Sequence, residues 1–258
     1  MSKFVDNLKK VCDGAPAPIG FLPRQTESVP CRMQLVAVVA PENLDRSAEF
    51  MEGIDAILLP VASENPSKKR LSGFTAGAGK TPWGGWIEGK NAAVADLVKA
   101  GCDFIVLSGA TLLSVSIEEK TGKILEVEPA ISDTLLRAAN GLALDAVFVN
   151  DESMKGSSLT WQNLLQFQRI AALAGKPILA AIPTDISSEE LKLIWEAGVV
   201  GAVIDTEDLT PEEFKKLQKT LKDTRFSPRG RRKEKIDAVV PRVAREPAVA
   251  DHEEEEEE

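Results

Sequence analysis

Eight short apolar runs, most of them followed by a helix-patterned stretch, constrain this chain more than any other feature. They are Leu35–Ala40, Ala56–Val61, Trp83–Glu88, Phe104–Ser108, Ile124–Glu128, Ala146–Asn150, Ile178–Pro183 and Gly201–Asp205. A strand pattern and a helix pattern alternating eight times predict parallel strands wrapped by helices, most simply a closed (β/α)8 barrel. An open, doubly wound sheet shares the same beat and is the competing architecture. Either way, a ligand is expected at the carboxyl ends of the strands. The chain divides into a lead-in over 1–33, the barrel over 34–224 and a charged tail over 225–258.

Local signals set the expected helix boundaries. Val5–Val11 reads as a short helix, after which Ala15-Pro16-Ala17-Pro18 enforces an extended path. Ile19-Gly-Phe-Leu22 reads as a plug for the barrel floor or an extra strand. Leu44–Glu52 and Ala92–Ala100 each end at a glycine, Gly53 and Gly101, suited to the left-handed position after a helix. Thr160 is a good N-cap for a helix that presents Trp161, Leu164, Leu165, Ile170 and Leu173 near one face before Gly175. Ser187 with Glu190, and Thr210 with Glu213, have capping-box spacing, and Pro211 suits the first helical position. Beyond the βα beat, no copied repeat motif is visible.

Charge bounds the partners. The formal net charge is −9 over 258 residues, unevenly spread. Residues 225–246 carry eight Lys or Arg against three acids, residues 251–258 carry seven acids, and the body over 1–224 is left at −7. An acidic body argues against a nucleic-acid binder, which needs a basic face to neutralise phosphates. Arg229-Gly-Arg-Arg-Lys-Glu-Lys235, the island Ile236–Val243 and six terminal glutamates bury too little apolar surface to offset ordering entropy, so a disordered tail is expected. That tail reads as a solubilising linker or as a protein-docking segment over 225–246. Cys12, Cys31 and Cys102 are odd in number and far apart, which suits a reducing compartment. No apolar stretch nears the ~20 residues that span a bilayer, and Met1–Lys10 lacks a secretory apolar core, so a soluble, cytoplasmic protein is expected.

The segment from Gly175 to Glu190 reads Gly-Lys-Pro-Ile-Leu-Ala-Ala-Ile-Pro-Thr-Asp-Ile-Ser-Ser-Glu-Glu, and Glu196-Ala-Gly-Val-Val-Gly-Ala-Val-Ile-Asp205 follows. This stretch resembles the seventh and eighth βα units of TIM barrels of the phosphate-binding type, such as indole-glycerol-phosphate synthase and its relatives. The resemblance implies a (β/α)8 TIM barrel and assigns no specific family. In those proteins glycines after strands 7 and 8 open backbone N–H groups to a phosphate. Here the corresponding positions read Pro183-Thr184-Asp185 and Asp205-Thr206-Glu207. A proline has no N–H to donate, and the carboxylates repel a phosphate dianion.

Candidate chemistry starts from what is missing. The only histidine, His252, lies in the acidic tail, and there is no tyrosine. The body therefore has no Ser-His-Asp triad and no histidine metal centre, and catalysis would rest on carboxylates, lysine, cysteine or hydroxyls. Acids gather at the expected strand ends: Glu42, Glu64, Glu88, Glu128, Asp151, Glu152, Asp185 and Asp205. Converging in a barrel mouth, they suit Mg²⁺, a cationic substrate or acid–base work; dispersed, they suit helix caps.

The run Trp83-Gly-Gly-Trp-Ile-Glu-Gly-Lys-Asn91 is the most unusual. Its tryptophans could bind something flat, and Glu88 with Lys90 could form an acid–base or Schiff-base pair. The competing reading packs Trp83 and Trp86 in the core and leaves Glu88 and Lys90 as a solvated ion pair. Thr75–Thr81 fails as a phosphate loop, because Phe74 stands where GxxxxGK[ST] needs glycine. Residues 63–82 read instead as a glycine-rich lid or a plain surface excursion. Cys102 reads as a small core residue.

The reading is a small-molecule-binding barrel, a lyase or isomerase using Glu88, Lys90, Asp151 and Asp205. Trp83, Trp86, Ser108, Thr111, Asn150, Thr184, Asp185 and Thr206 are the candidate ligand-binding residues. The alternative is a non-catalytic barrel acting as a scaffold or sensor. No motif singles out a cofactor or a metal.

Overall fold

The computed structural model describes residues 2–13, 32–40, 52–61, 75, 78–87, 94–113, 120–151, 157–207 and 209–227. Eight parallel strands close into a barrel in sequence order, which excludes the open sheet. They are β1 (Gln34–Val38), β2 (Ala56–Val61), β3 (Trp83–Ile87), β4 (Phe104–Leu107), β5 (Gly122–Val127), β6 (Ala146–Val149), β7 (Ile178–Ala181) and β8 (Val199–Asp205). Among the described residues the helices are α1 (Lys3–Asp13), α2 (Val94–Lys99), α3 (Asp133–Asn140), α4 (Trp161–Ala174), α5 (Ser188–Glu196) and α6 (Pro211–Asp223). None of them is long and apolar enough to cross a membrane. Residues 44–51 of the expected 44–52 helix, the 19–22 plug, most of the 63–82 loop and the tail beyond Ser227 lie outside the described residues, and Glu52 is in a turn.

The strands are short apolar runs because each is covered on both faces, by the barrel interior and by the helical layer. Alternation sets the two sides. The register pairs Gly84 with Phe104, Phe104 with Gly122, and Ile124 with Ala146, and these residues face inward. Gly84 is glycine because a Cβ there would overlap the Phe104 ring. The odd partners face outward: Trp83, Ile87 and Ile105 belong to a second buried cluster with Val94 and Leu97 of α2.

Helix ends follow local chemistry. Thr160 with Asn163, Ser187 with Glu190, and Thr210 with Glu213 all form reciprocal capping boxes, and Pro211 opens α6. Gly175 ends α4 at φ 58°, a conformation costly for any residue with a Cβ.

The floor of the barrel is closed by α1. Phe4 stacks against Phe104 with ring centroids 4.7 Å apart, and both Phe4 and Leu8 are fully buried. Asp103, the residue before β4, caps the helix: its carboxylate accepts from the Ser2 hydroxyl at 2.7 Å and from the N–H groups of Lys3 and Phe4, each at 2.9 Å. Asp55 and Asp145 hold the same place before β2 and β6. Asp55 accepts from the Leu35 N–H at 2.8 Å and pairs with Arg32. Asp145 accepts from the Lys123 N–H at 3.0 Å and pairs with Lys9 of α1 at 2.8 Å. One aspartate before each of β2, β4 and β6 is a pattern that becomes visible only with the strands in place.

Candidate functional site

The carboxyl ends of β4, β5 and β6 open into a cleft of about 770 Å³. Ser108, Gly109 and Ala110 line it from the end of β4, Glu126 from within β5, and Glu128, Pro129 and Ala130 from the segment that follows. Asn150 and Asp151 line it from the end of β6, and Gln166 from α4. A cleft of this size at the carboxyl face of a barrel is where small ligands bind.

Glu126 is the residue around which the cleft is built. Alternation along β5 puts Ile124 and Glu126 on the inner face, and the half-buried Glu126 carboxylate lines the cleft. One of its oxygens accepts from the Trp86 indole N–H at 2.9 Å and the other from the Asn150 side-chain amide at 2.8 Å. Trp86 is held in turn by an edge-on contact with Phe148, centroids 5.4 Å apart. Two rigid donors from β3 and from the end of β6 therefore fix the plane of the carboxylate, and its remaining lone pairs stay available.

Asp151 is oriented from outside the cleft. Its Oδ2 accepts from the Asn163 amide at 3.4 Å, while Asn163 Oδ1 accepts from the Thr160 N–H at 2.9 Å in the capping box of α4. The start of α4 thus sets both the helix and the carboxylate. Ser108 and Thr111 hydroxyls lie 3.3 Å apart across the turn after β4. Arg169 of α4 donates to the carbonyls of Pro129 at 2.6 Å and Ile131 at 2.9 Å and pairs with Asp133, which pins the wall of the cleft. The described residues lining the cleft include three acids and no Lys, Arg or His.

The sequence candidates separate into groups. Ser108, Asn150 and Asp151 meet at the cleft; Thr111 bonds Ser108 beside it; and Trp86 supports Glu126 from the interior. Trp83 points the other way, into the buried cluster under α2. Thr184 and Asp185 are exposed in the turn after β7. Thr206 is buried at the end of β8, where both its N–H and its hydroxyl donate to the Val38 carbonyl. Asp205 accepts from the Glu207 N–H at 3.0 Å. Glu88 and Lys90 lie outside the described residues. Burial pushes the Cys102 thiol up to about 12, and its Sγ lies 2.9 Å from the Phe104 carbonyl, so it is no thiolate nucleophile.

Glu126 is absent from the sequence candidates. Those candidates are acids at strand ends, and Glu128 closes its run, whereas Glu126 lies two residues earlier on the same face. An acid inside an apolar strand, in step with a strand-end acid, is the signal that finds it.

No family model matches the chain, and no curated protein matches it in sequence. Solved structures do match. A thiamine phosphate pyrophosphorylase from Pyrococcus furiosus superposes with a TM-score of 0.53 at 14% identity, over 73% of this chain and 96% of its own. A mutant tryptophan synthase alpha-subunit from the hyperthermophile Pyrococcus furiosus gives 0.58 at 12% identity, over 75% and 98%. A Mycobacterium tuberculosis tryptophan synthase gives 0.53 at 12% identity, over 76% and 94%. These neighbours are TIM barrels of the phosphate-binding type, the group that residues 175–205 resemble. At such identities the likeness carries the fold: this chain is a (β/α)8 TIM barrel.

Proposed function

We propose that the chain is a small-molecule-binding barrel that works at the β4–β6 cleft by carboxylate acid–base chemistry, as a lyase or isomerase. The observation that carries this reading is Glu126, an acid inside the barrel, clamped by Trp86 and Asn150 beneath a cleft of about 770 Å³. A carboxylate with a fixed plane and unused lone pairs is suited to moving a proton on a bound ligand. Asp151 stands across the cleft as its partner, and Ser108 offers a hydroxyl to orient the ligand. Glu88 and Lys90 follow directly after β3, the strand that carries Trp86, and in this reading they complete the acid–base set. Asp205 contributes from the far side, at the end of β8.

The test is a thermal-shift screen of the full chain against small metabolites, followed by Glu126→Gln and Lys90→Met. A ligand at 100 times its Kd stabilises by about 2.7 kcal/mol. Glu126→Gln is expected to abolish turnover and leave the fold intact. A hit whose binding and turnover ignore both substitutions would overturn the site.

The second reading, a non-catalytic scaffold, has one observation of its own. Trp161 and Leu165, one turn apart on α4, are 74% and 66% exposed. A screen without any response, together with concentration-dependent self-association lost in Trp161→Ala, favours that reading.

A further inference from the structure

We infer that the outer face of α4 is a docking seam for a second copy of this chain, which meets it antiparallel about a twofold axis. The seam lies on the outside of the barrel and holds for a catalytic barrel and a scaffold alike, because α4 turns Asn163 and Gln166 inward and a different set of residues outward. Successive residues of an α-helix advance by about 100°. Trp161, Leu165, Gln168 and Ala172, spaced four, three and four, therefore fall in one stripe about 60° wide. Trp161 is 74% exposed and Leu165 66%; Ala172 is exposed and Gln168 half-buried. The same helix buries Phe167, Ile170 and Ala174 against the barrel. An apolar stripe on the side turned away from the core is a second face to cover.

Three observations commit the seam to a second copy. First, its spacing reads the same in both directions. Laid antiparallel on itself with the axis between Gln166 and Phe167, Trp161 of one copy meets Ala172 of the other, and Leu165 meets Gln168. A large side chain then faces a small one at each end, the arrangement that interdigitates across a helix pair. Leu193 of α5, 39% exposed, widens the landing for Trp161. Gly198 after α5 lies against Ala171, and Leu193 is on the side of its helix opposite Trp195, which packs on Phe226. Second, charge permits the contact. The chain carries −9, so two copies repel unless they meet on neutral surface. The stripe has no charged residue, and Arg169, the one charge among the fourteen residues of α4, is engaged by Asp133 and the Pro129 and Ile131 carbonyls. By contrast, α6 has seven charged residues among thirteen. Third, the area fits a weak dimer. Trp161, Leu165 and Leu193 leave roughly 250 Å² of apolar side chain in water. That is the bulk of the apolar centre of an interface of about 600 Å² per copy, the low end for specific association.

The test is sedimentation equilibrium of the full chain from about 1 to about 100 µM, the affinity range of a small interface. A monomer–dimer equilibrium is expected. Trp161→Ala and Leu165→Glu should each raise its Kd by about tenfold or more. Both side chains are exposed, so far-UV circular dichroism should stay unchanged. Gln168→Lys alone should also weaken the dimer. Mixing Leu165→Glu chains with Gln168→Lys chains should restore it, because antiparallel pairing sets residue 165 of one copy against residue 168 of the other. A chain that is monomeric throughout this range overturns the inference, whether or not another protein binds the face. So does a dimer indifferent to Trp161→Ala and Leu165→Glu. A dimer weakened by both yet not rescued by mixing overturns the antiparallel pairing.

Discussion

The two ends of this barrel are both rich in acids and use them in opposite ways. On the floor, Asp55 faces Arg32, Asp145 faces Lys9, and Asp103 takes two backbone N–H groups and a hydroxyl at the start of α1. Each of these carboxylates meets a cation or a helix N-terminus, where negative charge is stabilising. At the mouth, Glu126 is held by a neutral amide and an indole, and no described lining residue is basic. The contrast teaches that an acid at a strand terminus carries no role by itself; the charge of its partner assigns one. Paired acids hold the closed end together, and at the open end Glu126, held by neutral donors, keeps lone pairs that a ligand can answer.

The comparison can be broken most forcefully at the floor. Phe4→Ala removes a fully buried ring from the plug and is expected to cost about 3–5 kcal/mol, with ligand binding at the mouth unchanged in the protein that remains folded. Urea unfolding monitored by circular dichroism measures it; a loss below about 1 kcal/mol would show that α1 is not part of the core. Gly84→Ala forces a methyl into the Phe104 ring and is expected to cost about 1–3 kcal/mol by the same assay. Asp103→Ala uncaps α1 and should cost about 1–2 kcal/mol.

A smaller effect separates the two paired floor acids by pH. Burial raises Asp55 above its ordinary 3.8, outweighing the Leu35 N–H and Arg32 that pull it down. Burial also acts on Asp145, but the Lys9 and Lys123 hydrogen bonds and charges overcome it and hold that carboxyl below 3.8. Asp145 therefore contributes stability that is present above 3.8 and lost as pH falls through its lowered folded value. Asp55 behaves inversely: the folded state binds its proton more tightly, so its contribution grows as pH falls through the raised value towards 3.8. The destabilisation caused by Asp145→Asn should shrink on acidification, and wild type should gain stability relative to Asp55→Asn. Urea midpoints from neutral pH to below 3.8 check both slopes, and parallel slopes would dissolve the distinction.

The smallest expected change in stability sits at the mouth. Glu128→Gln should alter folding stability by no more than about 0.5 kcal/mol, because the side chain is exposed and has no hydrogen-bond partner among the described residues. A large loss there would mean that the mouth, too, is held together by its acids.

The fold was legible because its signals are local. Apolar runs, capping boxes and terminal glycines each reside within a few residues, so the strands starting at Ala56, Trp83, Phe104, Ala146 and Ile178 and the caps at Thr160, Ser187 and Thr210 could be read directly. Where the pattern blurred, boundaries moved: β5 starts at Gly122 and β8 at Val199, earlier than their apolar runs suggested. The site was legible only in part. Ser108, Asn150 and Asp151 converge because β4 and β6 flank β5, a neighbourhood that follows from strand order. Trp83 and Trp86 look equivalent in sequence, but three residues apart on a strand they face opposite sides. Glu126 escaped notice because its importance depends on donors 40 and 24 residues away.

The plug also has a history in time. Ser2 finds its partner Asp103 across a separation of 101 residues, and Lys9 finds Asp145 across 136. Helix α1 precedes both partners in the chain, so its cap and its ion pair cannot form until β4 and β6 have been made. Contacts of such sequence separation are slow to form, because the intervening chain must be ordered first. Until then the apolar face of α1 has no barrel to cover it, and the nascent protein carries its own floor as an exposed amphipathic segment. Docking of α1 seals the cylinder from below.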